Sequence, residues 1–108
     1  MQLLLFVLNK EEHLEEVLEV FLELDIKGAT IIDSVGMGRI LSTDIPIFAG
    51  FRNIMQESRP GNKTIFTIVP EEKIPKVIQG IEQICGSLDE PGAGILITLP
   101  ILTAKGIK

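Results

Sequence analysis

An α+β fold, with a four-stranded antiparallel sheet and both helices on one face, is predicted by two features of this 108-residue chain. Apolar or β-branched runs alternate with amphipathic stretches in the order β-α-β-β-α-β. The plan occurs twice, so the chain reads as two matching halves. Together these describe a ferredoxin-like sandwich forming one domain over residues 1–108.

In the first half, Leu3 to Leu8 is an unbroken apolar run, as expected of a strand buried on both faces. Asn9 offers a helix cap, and Glu11 and Glu12 stand near the positive end of the helix dipole. Leu14, Val17, Leu18, Phe21 and Leu24 recur at helical spacing, with Glu15, Glu16, Glu19 and Glu23 on the wet side. Gly28 is the expected helix stop, and Ala29 to Val35 the second strand.

The second half repeats this. Lys63 to Val69 is rich in β-branched residues and reads as a strand. Pro70-Glu71-Glu72 opens a helix with Ile74, Val77, Ile78, Ile81, Ile84 and Cys85 on its apolar face. Proline is tolerated only in a first turn, so Pro75 places the helix start near Glu71 or Glu72. Gly86 ends it, Ser87 to Gly94 is a turn-rich loop, and Ile95 to Leu99 is the last strand. Pro100 closes that strand ahead of a tail carrying Lys105 and Lys108.

A sheet covered by helices on one side leaves its other side bare. Hydrophobic residues make up 45% of the chain, which is high for so small a domain. Both facts predict a homo-oligomer with its sheets turned inward. A net charge of −5 opposes a nucleic-acid role, which needs clustered cations, and no Trp or Tyr is present for base stacking. The single cysteine cannot form an intramolecular disulfide. The opening apolar run stops at Asn9 without a basic start or a cleavage site, and nothing reaches the length of a membrane span. A cytoplasmic protein is expected, with no direct membrane insertion.

The most informative stretch is Gly28-Ala29-Thr30-Ile31-Ile32-Asp33-Ser34-Val35-Gly36-Met37-Gly38-Arg39. It reads as a strand running into two near-adjacent glycines and one arginine. Bare backbone N–H groups beside a cation suit an anionic ligand; they equally suit a tight strand-to-loop turn. The irregular segment Ile40 to Asn62 follows. Loops of that length in compact domains are usually functional or disordered. Ile47, Phe48, Phe51 and Arg52 in it are candidates for contact with a partner. Phe48, Phe51, Ile54 and Met55 are spaced as one face of a short helix that would dock on the body.

These residues resemble the PII signal-protein superfamily over nearly the whole chain. The resemblance rests on Gly28-Ala29-Thr30, Val35-Gly36-Met37-Gly38-Arg39, the long loop, Val69-Pro70-Glu71-Glu72 and Gly92-Ala93-Gly94. It implies a non-enzymatic, trimeric sensor that binds a small anionic effector, such as an adenine nucleotide, between subunits. It also implies that the long loop contacts a regulatory target protein, membrane-associated ones included. Carried over, Thr30, Gly36, Met37, Gly38 and Arg39 line the loop-base side of the cleft. Gly92, Ala93 and Gly94 form a second glycine loop facing phosphate, and Lys105 and Lys108 add charge from the tail.

The departures from that pattern are specific. Ile40 stands where nitrogen-regulatory members have glutamine, and Ile95 replaces a lysine after the second glycine loop. The tail lacks Arg-x-Arg. Phe48 lies near the place of the tyrosine that many members modify. Each lost charge-assisted contact is worth roughly 1.5–3 kcal/mol, so a triphosphate would bind more weakly here. This describes a divergent branch.

Two other readings compete: an interaction trimer without a ligand, and a metal-binding protein similar to the divalent-cation-tolerance proteins, which share this kind of fold. For the latter, His13 with Glu12 and Glu16 is the nearest approach to a ligand set. Cys85, on an apolar helix face with no histidine beside it in sequence, reads as a buried structural thiol.

Overall fold

The computed structural model describes residues 1–44 and 61–107. Four strands, β1 (Gln2–Leu8), β2 (Thr30–Ser34), β3 (Asn62–Val69) and β4 (Gly94–Pro100), form one antiparallel sheet in the order β2-β3-β1-β4. Among the described residues three helices accompany it: α1 (Leu14–Glu23), α2 (Met37–Asp44) and α3 (Ile74–Cys85). Short 3-10 turns, Glu11–His13 and Glu71–Lys73, lead into α1 and α3. β1 and β2 run parallel with β3 between them, because each pairs antiparallel with β3. The arrangement is compatible with a ferredoxin-like fold.

The period of two decides what each strand buries. Leu4, Phe6 and Leu8 of β1 and Ile65, Thr67 and Val69 of β3 are buried on one face. They meet Val17 and Phe21 of α1 and Val77, Ile81 and Cys85 of α3 in a single core. Thr67 satisfies its hydroxyl by donating to Gly28 O, so the one buried polar residue of this core costs little. The helices approach closely where Val20 faces Gly80. A Cβ on Gly80 would stand 2.6 Å from Val20 Cγ1.

Pairing register assigns the opposite face. Leu3, Leu5 and Val7 lie beside Leu99, Ile97 and Ile95 on one side and beside Ile68, Phe66 and Thr64 on the other. Beyond them, Thr30, Ile32 and Ser34 pair with Phe66, Thr64 and Asn62. No charged side chain belongs to this face among the described residues. Ile95 is 60% exposed and Ile32 and Ile97 are each 47% exposed. β1 is therefore fully buried on its helix side only, with Leu3, Leu5 and Val7 half-covered.

Several boundaries depart from the sequence reading. α1 stops at Glu23, ahead of Gly28, because Asp25 takes a left-handed φ of 62°. Asp25 N donates to Leu22 O at 3.0 Å and Ile26 N to Phe21 O at 2.8 Å, and Ile26 is buried. This is a Schellman stop with aspartate in the place glycine usually holds. Asn9 caps nothing; its amide bonds elsewhere. The second helix begins as a 3-10 turn at Glu71 and becomes α3 at Ile74, with Pro75 in its first turn, and Gly86 ends it with φ 85°. β4 runs on through Pro100, which an edge strand tolerates.

The largest correction concerns the segment after β2. Met37–Asp44 is helical, so Ile40 begins no irregular loop and Asn62 already belongs to β3. Ile47, Phe48, Phe51 and Arg52, the short helix expected around Ile54 and Met55, and Lys108 lie outside the described residues.

Candidate functional site

The sequence-predicted ligand residues occupy three separate places in the protomer. Thr30 opens β2, at the end of the sheet where the chain turns out of α1. There it lines a cleft of about 780 Å³ with Gly28, Phe66, Lys27, Lys73 and the tail residue Ile107. Phe66 and Ile68 give this cleft an apolar floor, while Lys27 and Lys73 stand at it as cations. Lys27 is engaged with Asp25 at 3.4 Å, an exposed and therefore weak pair. Lys105 precedes Gly106, which also lines this cleft.

Gly36, Met37, Gly38 and Arg39 stand past the opposite end of β2. Six residues of extended chain cover about 20 Å, so this group is well removed from Thr30. Ile40 N donates to Gly36 O at 3.3 Å, which makes Gly36 the residue capping α2. The backbone N–H groups of Met37 and Gly38 belong to the first turn, where a helix has no internal acceptors to offer. Gly36 has no left-handed φ and, among the described residues, no atom within 4 Å of where a Cβ would stand, and Gly28 is the same. The protomer's own packing therefore does not require glycine at either position.

Gly92 and Ala93, just before β4, and Gly94, its first residue, share this end of the sheet but lie at its other edge. Three strand spacings, about 14 Å, separate β4 from β2. The turn uses its own polar groups. Ala93 N donates to Glu90 O at 3.3 Å, Leu88 N to Glu82 Oε2 at 2.8 Å, and Asp89 N to Ser87 Oγ at 3.2 Å. Gly94 is explained by packing: φ is 140°, and a Cβ would meet Val7 O at 2.6 Å and the Phe6 ring at 3.1 Å. Gly92, with φ 79° and open space around it, is needed for the turn alone. Ile95, where the resemblance expects lysine, faces the open side of the sheet.

A polar chain that the sequence did not reveal joins the loop base to the glycine turn. Ser34 Oγ donates to Asn62 Oδ1 and lies 2.8 Å from Thr64 Oγ1. Asn62 Nδ2 donates to Asn9 Oδ1 at 3.3 Å, and Asn9 Nδ2 to Gly92 O at 3.1 Å. On the helix side of the same edge, Lys63 pairs with Asp33. That hydrogen bond chiefly holds the Lys63 ammonium above its ordinary pKa; desolvation opposes it, and the negative charges of Asp33 and Glu11 add lesser support.

The remaining titratable candidates sit apart from these groups. His13 Nδ1 lies 3.0 Å from Glu16 Oε1 on the first turns of the α1 region. Among the described residues, no group of three or more His, Cys, Asp or Glu is placed to hold a metal ion. Cys85 is buried on α3, and burial raises its thiol pKa, with Lys10 opposing. Among the described residues, no helix is long and apolar enough to cross a membrane. No family model matches the chain, and no curated protein is significantly similar to it.

Proposed function

We propose that this chain is a PII-like, non-enzymatic regulatory protein. It assembles as a closed homo-oligomer, a trimer by resemblance, and binds a small anionic effector between subunits. Binding is reported to a target protein through the segment Ile40 to Asn62. The observation that carries the reading is the placement of the two glycine-bearing groups. They lie at opposite edges of one end of the sheet, so a neighbouring copy is what can bring them together.

Strand direction supports this geometry. β2 runs with β1 and β4 runs against it, so a second copy set edge to edge continues the sheet with an antiparallel β2–β4 pair. Such a contact is heterologous and closes into a ring when the rotation allows. It puts Gly36, Met37, Gly38 and Arg39 of one copy beside Gly92 of the next. Thr30 and its cleft, which the protomer's own tail already lines, then meet the end of the neighbour's β4. The uncharged open face becomes the shared interior, where burial of apolar area contributes about 25 cal/mol per Å².

Sedimentation velocity with a thermal-shift screen of ATP, ADP, AMP and bicarbonate tests the reading. The expected result is a closed oligomer stabilised by at least one of these anions, with Arg39→Ala weakening binding at least fivefold. A stable lone protomer at micromolar concentration, or no stabilisation by any anion, removes it. A second reading is favoured by Gly94, which packing against Val7 O and the Phe6 ring already explains: a ring that serves as an interaction scaffold without effector. It predicts the oligomer without the thermal shift.

A further inference from the structure

We infer that Asn9 is a positioning residue that mechanically ties the root of the Ile40–Asn62 segment to the glycine turn before β4. Its carboxamide is the middle link of the polar chain across the sheet end. Ser34 Oγ donates toward Asn62, with both Oδ1 and the backbone O (3.3 Å) within reach, and shares a hydrogen bond with Thr64 Oγ1 at 2.8 Å in which either hydroxyl can donate. Asn62 then donates to Asn9 Oδ1, and Asn9 donates to Gly92 O. From Asn62 onward the amide donors face their acceptors in one direction, over the end of β1, to the turn. Aligned bonds of this kind polarise one another and resist displacement of any single member.

The local backbone does not need Asn9. It caps neither the 3-10 turn Glu11–His13 nor α1. In the second half the corresponding strand-to-helix joint is made by Pro70 alone, which has no side-chain amide. The first half carries one residue more at this joint, and that extra length places the Asn9 amide between Asn62 and Gly92. Gly92 has no side chain and no neighbour filling the space where one would be, so the bond to its carbonyl is a direct hold on the orientation of that peptide.

For the effector, the inference rests on the reading above: loop base and glycine turn face different neighbours, and Asn9 sets the geometry of one by reference to the other. The coupling itself is testable without ligand. In the full-length protein, Asn62→Ala should move the amide resonances of Gly92 and Ala93. In an Asn9→Ala background the same Asn62→Ala change should leave them still. Resonances that ignore Asn62, or that respond equally in both backgrounds, overturn the inference. Melting temperatures of all four proteins establish that each is folded.

Asn9→Asp supplies the second arm. It keeps an acceptor for Asn62 and replaces the donor to Gly92 O by a carboxylate oxygen. ATP titrated calorimetrically should bind about threefold to tenfold more weakly to this variant, the worth of one modest hydrogen bond. Equal affinity for the two proteins overturns the positioning role. Failure of the wild type to bind ATP, ADP, AMP or bicarbonate removes the effector reading instead, and the resonances alone then decide the coupling.

Discussion

The two halves of the chain solve the same folding problem with different residues, and the differences fall where function is proposed. Val17 and Val77, and Phe21 and Ile81, occupy equivalent core positions on α1 and α3. Away from the core the halves part. α1 ends on Asp25 and α3 on Gly86, both with positive φ. Where the helices meet, Val20 is opposed by Gly80, one large and one absent side chain at matching positions. The strand-to-helix joint is Asn9-Lys10 in one half and Pro70 in the other. A repeated core needs similar volumes, whereas joints and edges are free to differ and can carry specific contacts.

The largest effects should come from the shared core. Phe21→Ala removes a fully packed aromatic ring and should cost about 3–5 kcal/mol in urea denaturation, and Ile81→Ala about 2–5 kcal/mol. If only one of the pair destabilises, the halves do not share one core, and the equivalence drawn above breaks. Gly94→Ala comes next. It forces a side chain onto a residue at φ 140° and against Val7 O, which should cost about 3 kcal/mol by the same measurement. Gly92→Ala, in open space, should cost about 1 kcal/mol, because only its backbone conformation resists.

Much of this was legible in the sequence, and the exceptions have physical causes. The alternation of strands and helices, the sheet class and the burial of Cys85 follow from apolar periodicity, which is a local property. The parity of β1 was not legible, since Leu3 to Leu8 is apolar at every position and only pairing separates Leu4 from Leu5. α2 was hidden by Gly36 and Gly38, which lower helix propensity within its first turn. Asp25 was passed over for Gly28, although an aspartate before a buried Ile26 fits a Schellman stop. Asn9 was read as a cap because its true partners, Asn62 and Gly92, are 53 and 83 residues away. The sequence names the candidate ligand residues only as positions along the chain. It could not show that Thr30 lies a strand's length from Gly36.

The helix crossing offers a sharper test of the paired halves. Gly80→Ala places a methyl group 2.6 Å from Val20 Cγ1, and the strain should outweigh the gain in helix propensity, for a net loss of about 1 kcal/mol. Val20→Ala should make room for it. The double variant Val20→Ala, Gly80→Ala should then be more stable than the sum of the two single changes predicts, by about 1 kcal/mol. Strict additivity would mean that the helices do not meet at these positions.

The smallest expected effect separates the fold from the proposed function. Gly28 and Gly36 have ordinary φ values and empty space where a Cβ would stand, unlike Gly94 and Gly80. Within the protomer, alanine at Gly28 only narrows the unfolded ensemble, so stability should rise by about 0.5 kcal/mol or stay level; alanine at Gly36, a poorer helix cap than glycine, should cost about 0.5 kcal/mol. Both glycines nevertheless lie where a neighbouring copy or an effector would approach: Gly28 on the cleft with Thr30, Gly36 at the start of α2. Gly28→Ala should therefore leave the protomer's stability to urea level or slightly improved, and Gly36→Ala should lower it only by the small cost of the cap, while both weaken oligomer assembly or ATP binding. Loss of protomer stability at Gly28, or a loss at Gly36 well beyond that of a helix cap, would instead mean that the fold itself demands these glycines, and the case for a neighbour at these edges would lose that support.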